Sequence, residues 1–191
     1  MVEFAGAVLT GGRSRRMGRD KALLRLDGTP LAVRVAATLV EAGADPVIAV
    51  GGDLAGLRAA GLTAIADPRQ GAGPLAGIAA ALAHPGAGGI VVVLACDLVA
   101  ASAEAVRAVV TALDAAPSAA VAVPVTGGRL QPLHAAWRPS VLPAIDAALA
   151  RGDGAVRHVL DAVETVAVTG LDPSWFVNAN SPADLGHTGV Q

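Results

Sequence analysis

Short apolar segments alternate with helical patterns through the first two thirds of the chain, and this alternation constrains the fold more than any other feature. The apolar segments contain few polar residues, so we predict strands that are buried on both faces. They cover residues 4–9, 47–50, 62–66, 90–95 and 119–124. The helices predicted between them cover residues 30–42, a short segment ending at 60, 75–83 and 102–113. The pattern predicts a three-layer α/β fold in which helices cover both faces of a mostly parallel sheet.

The last third of the chain is less regular. We predict a strand over residues 131–137, helices over 140–149 and 155–161, and an edge strand over 165–168. A final helix is expected to begin with Ser181 as its N-cap. At 191 residues the chain suits a single domain, which we divide into a part over about residues 1–125 and a part over about residues 126–185.

One loop concentrates the positive charge of the chain. It follows the first predicted strand and covers residues 9–21, LTGGRSRRMGRDK in one-letter code. It contains five of the fourteen Lys and Arg residues, although the formal net charge is -2. Glycine N–H groups can enclose a phosphate while Arg and Lys neutralise it, so we predict a polyphosphate site. Neither a Walker loop nor a dinucleotide fingerprint is present, because Ala22 follows Lys21 and no G-x-G-x-x-G enters a helix.

Glycines and carboxylates follow the carboxyl ends of the predicted strands, where parallel sheets bind their ligands. These residues are Gly11, Gly12, Gly51, Gly52, Asp67 and Asp97. Asp97 ends the most hydrophobic strand, and a carboxylate there is costly without a partner, so we predict that it binds Mg²⁺ on a triphosphate. The alternative role of Asp97 is an N-cap, for which Ser102 is better placed. The alternative role of Asp67 is a turn with Pro68.

Composition excludes several classes of protein. A single cysteine, Cys96, allows no internal disulfide and no cysteine metal site, and we expect it to be a small buried hydrophobe. An isoelectric point near 6.0 without a basic stripe of interleaved aromatics argues against nucleic-acid binding. We expect no membrane span, because no apolar run of about 18 residues occurs. The expected location is cytoplasmic, since the first residues do not resemble a signal peptide.

Residues 9–21 closely resemble the signature L-[AT]-G-G-x-S-x-R-M-G-x-D-K of molybdenum cofactor guanylyltransferases, with Thr10 in place of the commoner Ala. Further matches are the segment 73–77 (Gly-Pro-Leu-Ala-Gly), Cys96-Asp97 and Asn178-x-Asn180. Leu98-Val99 departs from the family's x-Pro after this Asp. The resemblance implies a Rossmann-like sheet of the nucleotide-diphospho-sugar transferase type. It also implies an Mg²⁺-dependent enzyme that transfers GMP from GTP to molybdopterin and releases pyrophosphate.

The resemblance implies roles for individual residues. Arg16, Lys21 and Asp97 are the implied catalytic residues, and Asp97 is the implied metal ligand. The implied nucleotide-binding residues are Leu9, Thr10, Gly11, Gly12, Ser14, Lys21, Val50 (through its backbone), Asp67, Gly73, Leu75, Gly77 and Asp97. The candidates for binding the acceptor are Gln131, His134, Asn178 and Asn180, with Arg157 and His158 as further possibilities. The part over about 1–125 would then bind the nucleotide, and the part over about 126–185 the acceptor.

Other functions stay open at this stage. Related cytidylyltransferases carry Ala-Ala-Gly where this chain has Thr10-Gly11-Gly12, so Gly12 favours GTP over CTP. Two alternatives remain: a nucleotidyltransferase that uses a different phosphorylated acceptor, and a nucleotide-binding regulator without turnover. The joint presence of Arg16, Lys21 and Asp97 argues against the regulator. The partners expected are GTP and molybdopterin, with transient contact to proteins that deliver the pterin or mature molybdoenzymes.

Overall fold

The computed structural model describes residues 2–11 and 20–178. In these residues the strands are β1 (Ala5–Leu9), β2 (Arg25–Leu26), β3 (Thr29–Pro30), β4 (Val47–Val50), β5 (Thr63–Ile65), β6 (Val91–Ala95), β7 (Val121–Thr126), β8 (Arg129–Leu130), β9 (His134–Trp137) and β10 (Thr165–Val168). The α-helices are α1 (Leu31–Ala42), α2 (Leu54–Ala59), α3 (Pro74–Leu82), α4 (Ala103–Asp114), α5 (Leu142–Ala150) and α6 (Val156–Leu160). Short 3-10 helices cover Lys21–Leu23, Pro139–Val141 and Pro173–Phe176.

The central sheet has the strand order β10-β7-β9-β6-β1-β4-β5, and β8 pairs with β7 at the side of this path. Along this path neighbouring strands are parallel except where β9 lies antiparallel between β6 and β7, and β8 is also antiparallel to β7. The carboxyl ends of the parallel strands therefore share one edge of the sheet, which we call the carboxyl edge. The amino end of β9, at His134, lies at this same edge because β9 runs the other way.

Helices cover both faces of the sheet, which confirms the predicted three-layer α/β fold. Alternate residues of β1 face opposite layers: Val8 packs with α1 and α4, whereas Ala7 and Leu9 pack with α3 and α5. Both cores consist mainly of Ala, Val, Leu and Ile, and Trp137 is fully buried in the second. The single sheet passes through both predicted parts of the chain, since β9 pairs with β6.

The predicted elements agree with the structure over most of the chain, with differences at their ends. Pro30 was expected as the first helical residue, but it pairs in β3 and α1 begins at Leu31. The strand expected over 131–137 is shorter, because Gln131 follows the tight β7–β8 hairpin and regular pairing starts at His134. Ser102 caps α4 by accepting the N–H of Glu104 at 3.1 Å, as its position predicts.

The prediction of a helix beginning at Ser181 falls outside the described residues. Among the residues that are described, no helix combines the length and the apolar character needed to cross a membrane.

We predict that Leu39→Ala lowers the free energy of unfolding by about 2–5 kcal/mol, because Leu39 is fully buried where α1 approaches β1. The neighbouring Val40 is 61% exposed on the same helix, so Val40→Ala should change the free energy of unfolding by less than about 0.5 kcal/mol. Urea denaturation of both variants measures the difference. Equal losses would contradict this assignment of the two faces of α1.

Candidate active site

The carboxyl edge collects polar groups from four neighbouring strands. Thr10 and Gly11 follow β1, Gly51 follows β4, Asp67 lies beyond β5, and Asp97 lies beyond β6. The sequence order of these strands is scattered, but β6, β1, β4 and β5 are adjacent in the sheet. The structure thus places together the positions predicted from the strand ends. Whether each contacts a ligand stays a prediction.

Thr10 fixes the start of the cation-rich loop to the end of β4. Its hydroxyl donates towards two carbonyl oxygens, that of Val50 at 3.0 Å and that of Gly51 at 2.8 Å. The N–H groups of Thr10 and Gly11 also donate to the Val50 carbonyl oxygen, at 3.0 and 3.1 Å. The hydroxyl at position 10, which departs from the commoner Ala, therefore has a structural role. The Val50 carbonyl oxygen accepts these donors from within the protein, and ligand contact through it stays untested.

Lys21 and Asp97 form an ion pair at the carboxyl edge. The Lys21 Nζ lies 2.8 Å from the Asp97 Oδ2, and the two side chains are 16% and 21% exposed. Both were predicted as catalytic residues, one for phosphate and one for metal. The structure brings them into direct contact, and their partial exposure leaves both charged groups accessible from the edge.

Cys96 lies between the end of β6 and Asp97 and is buried, as predicted. Burial, followed by the negative charge of Asp97, raises the pKa of the Cys96 thiol to about 12. The thiol therefore stays protonated at neutral pH and is not a nucleophile. The backbone N–H of Cys96 donates to the carbonyl oxygen of Leu9 at 3.2 Å, and this bond links the ends of β6 and β1.

Asp67 forms the turn that its position before Pro68 allows. Its Oδ1 accepts the N–H of Arg69 at 2.9 Å. The Arg69 guanidinium in turn lies 3.1 Å from the carboxylate of Asp146 on α5. The turn interpretation of Asp67 is therefore correct, while a contact between Asp67 and a nucleotide stays a prediction.

The predicted nucleotide-binding segment 73–77 forms the start of α3. Gly73 is the N-cap residue and makes no side-chain cap, and Pro74 at the first helical position has no N–H. The N–H of Ala76 donates to the Gly73 carbonyl oxygen at 3.3 Å. Gly73 itself is exposed, so it offers its own N–H to a ligand at the start of the helix. Leu75 is fully buried, backbone included, which is at odds with its predicted contact with a nucleotide. Gly77 packs on Leu9: a Cβ built on Gly77 would lie 3.0 Å from Leu9 Cδ2. Packing alone explains the glycine at position 77.

A turn from the second part of the chain contacts this same segment. A Cβ built on Gly73 would lie 3.3 Å from the Gly154 carbonyl oxygen, and one built on Gly154 would overlap the carbonyl oxygen of Ala72. Beside this contact the Nδ1 of His158 lies 2.6 Å from Asp153 Oδ2. The N–H of Ala155, and then His158, hold the pKa of Asp153 below its usual value. His158 thus pairs within its own turn.

The candidate acceptor residues occupy different environments. Gln131 lies near the carboxyl edge, where its side-chain amide donates to Thr126 Oγ1 at 2.8 Å. His134 is 1% exposed, and its ring packs against Phe176 with the centroids 4.8 Å apart. Enclosure of the His134 ring is at odds with the predicted direct contact with an acceptor. Asn178 is exposed and follows the 3-10 helix that contains Phe176.

The His134 ring makes no hydrogen bond with any of the described residues, although both of its nitrogens are buried. Burial lowers the pKa of His134 to about 4, so the ring is neutral at physiological pH. His134 therefore contacts Phe176 as an uncharged ring. Arg157 lies on α6, where it is largely exposed and 3.9 Å from Asp161.

Four predicted site residues lie outside the described residues. They are Gly12, Ser14, Arg16 and Asn180.

Sequence reasoning missed two contributors to this site. One is Asp20, which accepts N–H groups from Ala22 and Asp53. The other is Gly154, which contacts the start of α3. The D-K pair at the end of the loop signature was a signal for Asp20, but the sequence does not show its partners.

The arrangement suits the binding of an anion and of a divalent cation that neutralises it. Lys21 supplies a positive charge directly after the glycine- and arginine-rich loop, and Asp97 supplies a hard oxygen ligand opposite it. Gly73, exposed at the start of α3, offers a backbone N–H to a neutral acceptor such as a base carbonyl. These are the elements required for phosphoryl transfer by positioning and charge neutralisation.

Comparison with known proteins gives a consistent family. A family profile described as "MobA-like NTP transferase domain" matches residues 6–167. A relative from Deinococcus radiodurans, a "probable molybdenum cofactor guanylyltransferase", is 36% identical over 97% of this chain and 93% of its own length. The "molybdenum cofactor guanylyltransferase" of Rhodobacter capsulatus is 35% identical over 96% of this chain and 94% of its own length. These similarities confirm the family resemblance predicted from the loop.

Solved structures support the fold. "Molybdopterin-guanine dinucleotide biosynthesis protein A" from Archaeoglobus fulgidus superposes with a TM-score of 0.78 at 24% identity, over 95% of each chain. The 2-C-methyl-D-erythritol 4-phosphate cytidylyltransferase of Thermus thermophilus superposes with a TM-score of 0.68 at 19% identity, over 96% of each chain. The predicted nucleotidyltransferase type of Rossmann-like sheet is therefore confirmed.

We predict that His134 makes the protein less stable in mild acid. Because its pKa is lowered from 6.5 to about 4 in the folded state, the unfolded chain binds the proton first, and stability falls as the pH drops from about 6.5 to 4. The slope for one proton is at most about 1.4 kcal/mol per pH unit. His134→Leu should flatten this part of the curve of unfolding free energy against pH.

The matched control is His84→Gln, because His84 is partly exposed and belongs to none of the ion pairs found among the described residues. This variant should not flatten the curve. An unchanged slope in His134→Leu, measured by urea denaturation at several pH values, would show that the ring of His134 does not carry the effect.

Proposed function

The chain belongs to the family of MobA-like NTP transferases, and from this premise we propose that it transfers GMP from GTP to molybdopterin, with release of pyrophosphate. The product would be the guanine dinucleotide form of the molybdenum cofactor. The names of its relatives, which include guanylyltransferases from Rhodobacter capsulatus and Xanthomonas, support the choice of GTP and of the pterin. The observation that carries the proposal is the contact between Lys21 and Asp97 at the carboxyl edge.

In the proposed reaction an oxygen of the terminal phosphate of molybdopterin forms a bond to the α-phosphorus of GTP. The bond between that phosphorus and the bridging oxygen breaks, and its electron pair leaves with pyrophosphate. The attacking phosphate is already an anion at neutral pH, so no general base is required. Catalysis then consists of alignment and neutralisation of charge.

Lys21 is the described residue best placed to neutralise the phosphates. Its ammonium group follows the loop that is predicted to enclose them, and it faces the carboxyl edge with little freedom, since 16% of its side chain is exposed. In the proposed complex Lys21 donates to a phosphate oxygen instead of to Asp97. Arg16, whose sequence position lies in the same loop, is proposed to assist.

Asp97 is the proposed ligand of Mg²⁺. Its carboxylate is partly exposed, and Mg²⁺ commonly binds one or two protein carboxylates together with substrate phosphates. The described residues contain no cluster of three or more His, Cys, Asp or Glu suited to a metal. Bound there, Mg²⁺ would supply positive charge to the triphosphate. Asp97 would hold the ion through its carboxylate.

The remaining assignments follow the two parts of the chain. The N–H of Gly73, at the start of α3, is proposed to contact the base, and Gln131 and Asn178 are proposed to face the acceptor. Transient contact with proteins that deliver the pterin or mature molybdoenzymes belongs to the same proposal, as does a cytoplasmic location.

The test is pyrophosphate release with Mg²⁺ and molybdopterin, comparing GTP, CTP, ATP and UTP. Release with GTP alone is the expected result. Release with CTP would keep the reaction and correct the base. If all four nucleotides gave no product, the acceptor would be wrong, and sugar phosphates would be tested next.

We predict that Lys21→Gln and Asp97→Asn each lower kcat by about 10²–10³-fold, as expected when one group that stabilises transition-state charge is removed. Asp114→Asn is the matched control, because Asp114 is an exposed carboxylate at the end of α4. It should leave kcat unchanged. Circular dichroism melts establish that each variant is folded, and a fully active Asp97→Asn would contradict the metal assignment.

A further inference from the structure

Asp20 makes two hydrogen bonds to backbone groups from different segments. Its Oδ1 accepts the N–H of Ala22 at 3.0 Å and so caps the 3-10 helix Lys21–Leu23. Its Oδ2 accepts the N–H of Asp53 at 2.6 Å, across 33 positions of the sequence. Asp53 in turn caps α2 by accepting the N–H groups of Ala55 and Gly56, each at 3.1 Å. Asp20 thus connects the end of the cation-rich loop to the turn after β4.

The turn after β4 is shaped to receive this carboxylate. Gly52 has φ +74°, and a Cβ built on it would lie 2.7 Å from Asp20 Oδ2 and 2.9 Å from the carbonyl oxygen of Thr10. A side chain at position 52 would therefore displace Asp20. The turn is held between Thr10, at the start of the loop, and Asp20, at its end.

Lys21 connects the loop to the opposite neighbour of β1. The strand β1 lies between β4 and β6. Asp20 bonds to the turn after β4, and Lys21 contacts Asp97 after β6 at 2.8 Å. Two consecutive residues therefore span the end of β1 and attach to the strand on each side. A lysine side chain has much rotational freedom, so a fixed backbone is needed to hold its charge in place.

We propose that Asp20 is a positioning residue that holds Lys21 at the reacting phosphates by bonding the N–H groups of Ala22 and Asp53. The inference rests on the proposed function and deepens it, since it assigns the residue that aligns the catalytic lysine. Both oxygens of Asp20 accept backbone N–H groups, which supports a role carried out through Lys21.

An asparagine at position 20 has the same shape but only one acceptor oxygen. Because two backbone N–H groups face the two oxygens of Asp20, one of them would meet the amide NH₂ of asparagine. Asp20→Asn therefore breaks one bond without removing side-chain volume. The exposed Asp114 again provides the matched control, Asp114→Asn.

The first readout does not require turnover. Lys21 is the only lysine in the sequence, so acetylation of the peptide that contains it reports on this one side chain. Asp20→Asn should speed acetylation of Lys21 several-fold and increase hydrogen exchange at the amides of Ala22 and Asp53. Asp114→Asn should leave both rates unchanged.

The second readout is pyrophosphate release with Mg²⁺, GTP and molybdopterin. Asp20→Asn should lower kcat by about tenfold to 10²-fold, the size expected when a catalytic group is misplaced by about 1 Å. The KM for GTP should change less. If Asp20 acts through Lys21, Asp20→Asn should have little further effect in a Lys21→Gln background.

A second pair of variants tests the contact between Asp20 and the turn after β4 by changing the turn. Gly52→Ala introduces a Cβ against Asp20, whereas Gly61→Ala introduces the same left-handed strain, at φ +88°, with no atom within 4 Å. Gly52→Ala should speed acetylation of Lys21 and lower kcat, and Gly61→Ala should do neither.

The outcomes separate this inference from the proposed function. An inactive wild type overturns the proposed function, while acetylation and amide exchange still decide whether Asp20 fixes Lys21. Unchanged acetylation and exchange in Asp20→Asn overturn the inference. It is overturned as well if kcat falls as far in the Lys21→Gln background as in the wild type, because Asp20 would then act independently of Lys21.

Discussion

The ion pair between Lys21 and Asp97 joins residues that lie 76 positions apart. It can form only if the fold meets two conditions. The strand before Asp97 must lie beside β1, which the strand order provides. The cation-rich loop must also return to its starting point, and Thr10 and Asp20 hold its two ends against the same turn after β4. The flexible side chain of Lys21 then has a defined position, because the ends of β1, β4 and β6 restrict it.

The second part of the chain reaches the carboxyl edge because β9 runs against its neighbours. A parallel strand would bring its carboxyl end there, whereas β9 brings its amino end, with Gln131 before it and His134 as its first residue. The ring of Phe176 packs on His134, which draws the segment leading to Asn178 towards the same region. The turn at Gly154 also contacts Gly73, at the start of α3. Groups proposed for the two substrates therefore share one sheet edge.

The sequence was sufficient to predict the layers, most strands and the edge at which the site lies, because buried strands are nearly continuous apolar runs and ligands bind at their carboxyl ends. It could not predict the partner of Asp20, since that partner is a backbone N–H, and every residue but proline has one. The sequence did not reveal that His134 is buried, because burial is predicted from a repeating pattern of residues and a single histidine forms none. Gly77 was assigned to the nucleotide, although its contact with Leu9 appears only once α3 is packed on β1.

The position of β9 inside the sheet also bears on how the chain folds as it is synthesised. β6 is almost entirely apolar, and it pairs with β1 on one side and with His134–Trp137 on the other. One edge of β6 therefore stays open until residue 137 has emerged, a delay of seconds at about 5–20 residues per second. Open apolar edges pair readily with other chains. A fragment that ended after the first part would leave this edge of β6 open and would thus be prone to aggregate.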